Sequence, residues 1–241
     1  MEAFIKIVES IQTEQPNINP TEIYNEGWMT RLLVHYSIKH QINVVNLDFS
    51  MIKNWTSEAL MSSPFILEVA QPYREGYTHA DVALGDFNVD YEVRGEIDIP
   101  NDARVFGIIE AKMKSNLSAG TTYVKDYNQA SRNIACIAHN TRASDCKIFF
   151  VVVIPEQMKE KHGIVPKVDK TFVYNQIQSR FELYDENHEV RVNESAVLSK
   201  VKKCEIIVLT YEDWISTFTD SQSREFLSDF YEKCRKYNRL K

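Results

Sequence analysis

The sequence predicts an α/β protein with a mixed central β-sheet flanked by helices. Two runs, KIFFVVVIP (147–155) and CEIIVLT (204–210), are apolar at consecutive positions and rich in β-branched residues, the mark of strands covered on both faces. Other segments repeat their apolar residues at helical spacing. The two kinds follow one another in the order α-β-β-β-α-β-β-α, which puts helices on both sides of the sheet. The 241 residues are 44% hydrophobic and include only seven glycines and seven prolines. Such a chain can bury a full core and has little linker, so one domain with insertions is expected over 1–241.

Taken in order, TEIYNEGWMTRLLVHYSIKH (21–40) is a helix by the spacing of Ile23, Met29, Leu32, Leu33 and Tyr36, with Thr21 as its cap. PFILEVAQPY (64–73) and HADVALGDF (79–87) read as strands, the second ending in a Gly85-Asp86 turn. NVDYEVRGEIDI (88–99) alternates and forms an extra hairpin or a long strand, and RVFGIIEAKM (104–113) is the most buried strand of the group. A helix follows over 121–140, with Tyr123, Tyr127, Ala130, Ile134, Ile137 and Ala138 on one stripe. Residues 171–184 form an inserted helix, YEDWISTF follows the strand at 204–210, and 222–238 is an amphipathic C-terminal helix.

Composition narrows the function classes. No run approaches a membrane span, and MEAFIKIVES has neither the basic head nor the long apolar stretch of a signal peptide, so a cytoplasmic protein is expected. Cys136, Cys146, Cys204 and Cys234 are far apart without a CxxC pair, which fits free thiols rather than zinc ligands. Paired-histidine, P-loop, dinucleotide and serine-hydrolase fingerprints are absent. The net charge of −6 excludes a protein that coats nucleic acid by bulk attraction. Its distribution is uneven: residues 81–110 hold eight acids and two arginines, whereas KCRKYNRLK (233–241) holds five basic residues and no acid.

One strand ends unusually. Val105 to Ile109 is apolar, and Glu110, Ala111 and Lys112 follow it. An acid-x-lysine triplet arises by chance in a chain with 34 acids, and Asp145-Cys146-Lys147 is a second one. Position distinguishes them, because only the first lies at the carboxyl end of an apolar strand, where open α/β sheets place ligands. Period-2 geometry puts Glu110 and Lys112 on one face. Carboxylates suit a hard cation such as Mg²⁺, which activates water against a phosphodiester, and a lysine beside it can orient that water. A second carboxylate is then needed, and Asp81 sits amid apolar neighbours in the preceding strand.

Together, HADVALGDF and VFGIIEAKMKS resemble the PD-(D/E)xK superfamily of restriction-endonuclease-like phosphodiesterases. Asp81 matches the first acid, Glu110 the second and Lys112 the lysine. Glu26 in YNEGWMTRLL resembles the acid on the first helix that supports the metal site, and Gln129 in DYNQASRNIA the glutamine on the helix after the motif strand. The resemblance spans about residues 21–155, with 204–210 as a further core strand and 88–99 and 156–203 as insertions. It implies a restriction-endonuclease-like core (α-β-β-β-α-β) and a Mg²⁺-dependent nuclease, with Mn²⁺ as a substitute, acting on DNA in restriction, defence or repair. Asp81, Glu110, the Ala111 backbone carbonyl and Glu26 would hold the metal. Lys112 would position the water, and Gln129, Arg132 and Lys114 would meet the nucleic-acid backbone. A homodimer would supply the two sites that cutting both strands requires.

The sequence departs from the pattern in two ways. Ala80 stands where the motif has proline, and GEID (95–98) offers Asp98 as an alternative first acid and metal ligand. Asp81 is preferred, because a turn at 100–103 would set Asp98 opposite about Val105 rather than Glu110. The competing function is a catalytically silent module of the same fold that binds nucleic acid or a partner protein.

Overall fold

The computed structural model describes residue 10 and residues 17–66, 73–120, 124–161 and 163–239. Seven strands form one mixed sheet: β1 (Asn54–Met61), β2 (Thr78–Gly85), β3 (Asn88–Asp90), β4 (Glu96–Asp98), β5 (Val105–Ala111), β6 (Lys147–Ile154) and β7 (Glu205–Thr210). Their order across the sheet is β3-β4-β1-β2-β5-β6-β7. Strand β2 runs antiparallel to β1 and β5, whereas β5, β6 and β7 are parallel. The helices used below are α1 (Glu26–His40), α2 (Gln129–Asn140), α3 (Lys170–Phe181), α4 (Glu194–Lys203), α5 (Tyr211–Ser216) and α6 (Ser221–Tyr237).

Alternation along the central strands divides the interior into two layers. In β6, Ile148, Phe150, Val152 and Ile154 face the layer that holds α2, α3 and α4, while Phe149, Val151 and Val153 face the layer that holds α1, α5 and α6. Strand β5 does the same with Phe106 and Ile108 on one side and Val105 and Ile109 on the other. Both faces are therefore covered, as continuous apolar strands require. Gly107 makes the β5–β6 approach possible: a Cβ there would lie 2.4 Å from Cδ2 of Phe149, its partner across the ladder. No helix among the described residues is long and apolar enough to cross a membrane.

Several boundaries differ from the sequence reading. The strand paired with β2 is Asn54–Met61, not 64–73. Its first five residues are exposed or half-buried and mostly polar, so it carries little apolar signal. Within 64–73, Ile66 makes one isolated bridge to Glu75, and residues 67–72 lie outside the described part. Helix α1 starts at Glu26 rather than near Thr21, because the Asn25 side chain accepts from Trp28 N and caps it there. Helix α2 starts at Gln129, capped by Asn128, and Tyr123 of the expected stripe is outside the described residues. The excursion at 88–99 is a hairpin, β3–β4, joined to β1 by a parallel pair at Leu60 and Glu96.

Gly107→Ala is expected to lower stability by about 1–3 kcal/mol through overpacking against Phe149, read as a lower urea midpoint at unchanged slope.

Candidate active site at the carboxyl end of strand β5

The β2–β5 ladder ends at Val82 and Ile109, and one position further Asp81 stands across from Glu110. Facing slips in β2 at this point: Ala80 and Ala83 pack in one layer, Val82 and Leu84 in the other. The neighbouring β1 slips with it, at Glu58, whose φ of 56° is left-handed. Asp81 is thereby left half-buried, and its Oδ2 accepts from Ala111 N at 2.8 Å. Lys112 N instead donates to Val153 O of β6 at 2.8 Å. The amide of Ala111 thus faces β2, and so does its carbonyl, since both groups of one strand residue point the same way.

Glu110 has no solvent exposure, and α2 supplies much of its environment. Gln129 Nε2 donates to its Oε1 at 2.6 Å and Asn133 Nδ2 to its Oε2 at 2.8 Å. Lys112 Nζ forms an ion pair with the same Oε1, which puts Glu110 and Lys112 on one face as period 2 requires. Glu26, the first residue of α1, reaches the same strand end from the other layer, and its Oε2 accepts from Met113 N at 2.8 Å.

These groups act on one another electrostatically. Burial, and then the Asp81 charge, push the Glu110 carboxyl up to about 7 against the pull of Lys112. Burial likewise raises Glu26, offset in part by the Met113 amide and Lys112. Burial opposes the Lys112 charge, but Glu110, Asp81 and Glu26 together outweigh it and hold the ammonium above its ordinary value. Glu110 thus pairs with the ammonium directly, while Asp81 and Glu26 act on it through their charge. Among the described residues no group of three or more His, Cys, Asp or Glu side chains is arranged as a metal cage. The donors that fit a hard cation are the Asp81 and Glu110 carboxylates and the Ala111 carbonyl, an oxygen set that leaves positions for water, as Mg²⁺ prefers.

The structure therefore brings Asp81, Glu110, Ala111, Lys112, Glu26 and Gln129 together. It does not bring Asp98 to them: that residue is exposed, pairs with Asn88 at the sheet edge, and is separated from β5 by β1 and β2. The alternative first acid is corrected on that ground, since the hairpin carries GEID outward beside β1 instead of back against β5. Arg132 is turned inward, 3.2 Å from Glu75 and donating to Tyr77 O at 3.2 Å, while Lys114 is exposed. Two residues were missed. Asn133 follows Gln129 by four positions and so shares its helical face, a signal present in the sequence. Glu58, bridged to Arg31 at 3.4 Å, owes its place opposite Asp81 to the β1–β2 register, which no local pattern announces. In comparisons with known proteins, no family model, no curated protein and no solved structure matches the chain.

In the folded chain Glu110 keeps its proton to higher pH than in the unfolded chain. Its contribution to stability is therefore full below its ordinary 4.5 and is lost as the pH rises through about 7. Glu110→Gln cannot titrate, so in metal-free buffer it should gain stability relative to the wild type as pH rises across that window. Urea unfolding at a series of pH values checks this, and a flat difference would refute the burial of a titrating Glu110.

Proposed function

We propose that the protein is a divalent-metal-dependent phosphodiesterase, and that it acts on DNA as an endonuclease of the PD-(D/E)xK kind. The observation that carries the reading is the meeting of Asp81, Glu110 and Lys112 at the carboxyl end of a buried strand, with the Ala111 amide bonded to Asp81. Asp81, Glu110 and the Ala111 carbonyl would hold Mg²⁺ or Mn²⁺. Bound there, the cation would polarise the phosphate and lower the pKa of an attacking water.

The remaining work falls to the chain. Gln129 and Asn133 hold the Glu110 carboxylate in one orientation, so its position does not depend on a flexible side chain. Glu26 fixes the strand end through Met113 N. Lys112, a donor with three protons, orients the water and offsets negative charge as it grows on the phosphoryl oxygens. Cleavage of both strands of a duplex would engage two copies of the chain.

A second reading has its own support. Glu110 already accepts three hydrogen bonds and an ammonium neutralises it. A buried, satisfied pair of this kind also suits a catalytically silent module that binds nucleic acid or a partner protein. Mn²⁺ titration separates the two: a catalytic site binds the ion and loses it in Asp81→Asn, whereas a silent module need not bind it.

Lys112→Ala is expected to reduce Mg²⁺-dependent cleavage of plasmid DNA by a factor on the order of 10²–10³. The variant should still fold, because Gln129 and Asn133 continue to satisfy Glu110 and the carboxyl can take up a proton. Circular dichroism establishes the fold, and full retained cleavage by a folded variant would sink the assignment.

A further inference from the structure

The last turn of α6 packs against the two segments that carry the ends of the site. Asn238 Nδ2 donates to Tyr24 O at 2.8 Å and lies 3.9 Å from Met113 Sδ. Tyr237 stacks on Tyr24 with ring centroids 5.4 Å apart. Tyr24 lies two residues before Glu26, and Met113 directly follows Lys112. Residues 233–239 of the basic C-terminal stretch are thus fastened beside the acidic centre.

The described cations of this stretch and of the segment after Met113 are of two kinds. Lys233 and Arg235 are neutralised within α6, by Asp229 at 2.7 Å and Glu232 at 2.9 Å. Lys236, Arg239 and Lys114 are exposed, and among the described residues no acid lies within ion-pair distance of them. Attraction to the helix dipole accounts for a base in the last turn, such as Lys236. It does not account for Arg239, which lies past the Asn238 cap, or for Lys114, which follows Met113 on another segment. Nor do the site's acids call for them, since Glu110, Asp81 and Glu26 are engaged by Lys112 and by backbone amides.

We propose that Lys114, Lys236 and Arg239 form a track for the phosphate backbone of a nucleic-acid strand entering the site. This deepens the phosphodiesterase reading and rests on it for the fate of the strand. The Asn238–Met113 contact joins the two segments that carry these cations, and exposed cations on adjoining segments suit an extended polyanion. Trp28 favours nucleic acid among polyanions: it follows Glu26 by two residues, is 38% exposed, and its ring pairs with the Arg31 guanidinium 5.3 Å from the centroid, which sets an aromatic and a cation, the two groups that bind single strands, side by side. Local charge of this kind also reconciles a polyanionic ligand with a net charge of −6.

The test measures binding of a fluorescent single-stranded oligodeoxynucleotide by anisotropy, with Ca²⁺ present, between about 50 and 200 mM salt. Lys236→Glu combined with Arg239→Glu should weaken binding at least about tenfold and lower the slope of log affinity against log salt by about 1.4, two phosphate contacts' worth. The ratio of oligonucleotide cleavage to hydrolysis of bis(p-nitrophenyl) phosphate should fall with it. Should the double variant fail to fold, Lys114→Glu, on a separate segment, should give about half the change in slope. Unchanged affinity and slope in the folded variants, or a wild type that binds no oligonucleotide, overturns the track. If the wild type binds, the variants lose binding, and no diester is hydrolysed, the track stands and the phosphodiesterase reading falls. If the wild type cleaves DNA and the variants bind and cleave it equally well, the reading stands and the track falls.

Discussion

Glu110 is a carboxylate at a position with no access to water, at the end of a strand packed on both faces. An ionised group there costs several kcal/mol unless donors replace the lost solvent. They come from Lys112 two residues along and from Gln129 and Asn133 on α2. For α2 to aim two side chains at one carboxylate, its first turn has to be held. Asn128 caps it, accepting from Ser131 N at 2.8 Å, and donates to Lys167 O at 2.9 Å. Gln176 of α3 receives both Asn128 N and Ser131 Oγ. The segment beyond β6, which in sequence reads as an insertion, thus fixes the helix that satisfies Glu110.

The strand end is held as tightly from its other sides. Three consecutive amides are taken by three different elements: Ala111 N by Asp81 of β2, Lys112 N by Val153 O of β6, and Met113 N by Glu26 of α1. Side-chain carboxylates take over where the β2–β5 ladder stops. A chain end that would otherwise fray is pinned in a defined position, which is what a site on a rigid element requires.

Legibility followed apolar pattern. Strands β5 and β6 were readable because both faces are buried, β7 because its run is apolar although one face is only half-buried, and α6 because its apolar residues recur at helical spacing. Strand β1 was not, because its polar half faces outward and its apolar half is only Ala59, Leu60 and Met61. The starts of α1 and α2 moved because Asn25 and Asn128, not the earlier polar residues, make the capping bonds. At the site, Glu110 and Lys112 follow from period 2, but the choice of Asp81 over Asp98 is a matter of strand order, and strand order is set by long-range packing that no local window contains. Asn133 was within reach of a helical-face argument once Gln129 was chosen.

Most residues at this centre have two duties, and that bears on how any substitution there can be understood. Asp81 and Glu26 each close a backbone bond, so removing either carboxylate frees a partly buried amide as well as a charge. Replacement by the amide keeps an oxygen acceptor and removes only the charge, and so isolates the electrostatic part. Lys112 differs, because its structural bond runs through its backbone amide and survives any side-chain change. Among the described residues its ammonium has Glu110 as its one ion-pair partner, which two other donors also serve. A Lys112 side-chain substitution therefore leaves every backbone bond of the strand end in place, and a variant that folds reports on chemistry.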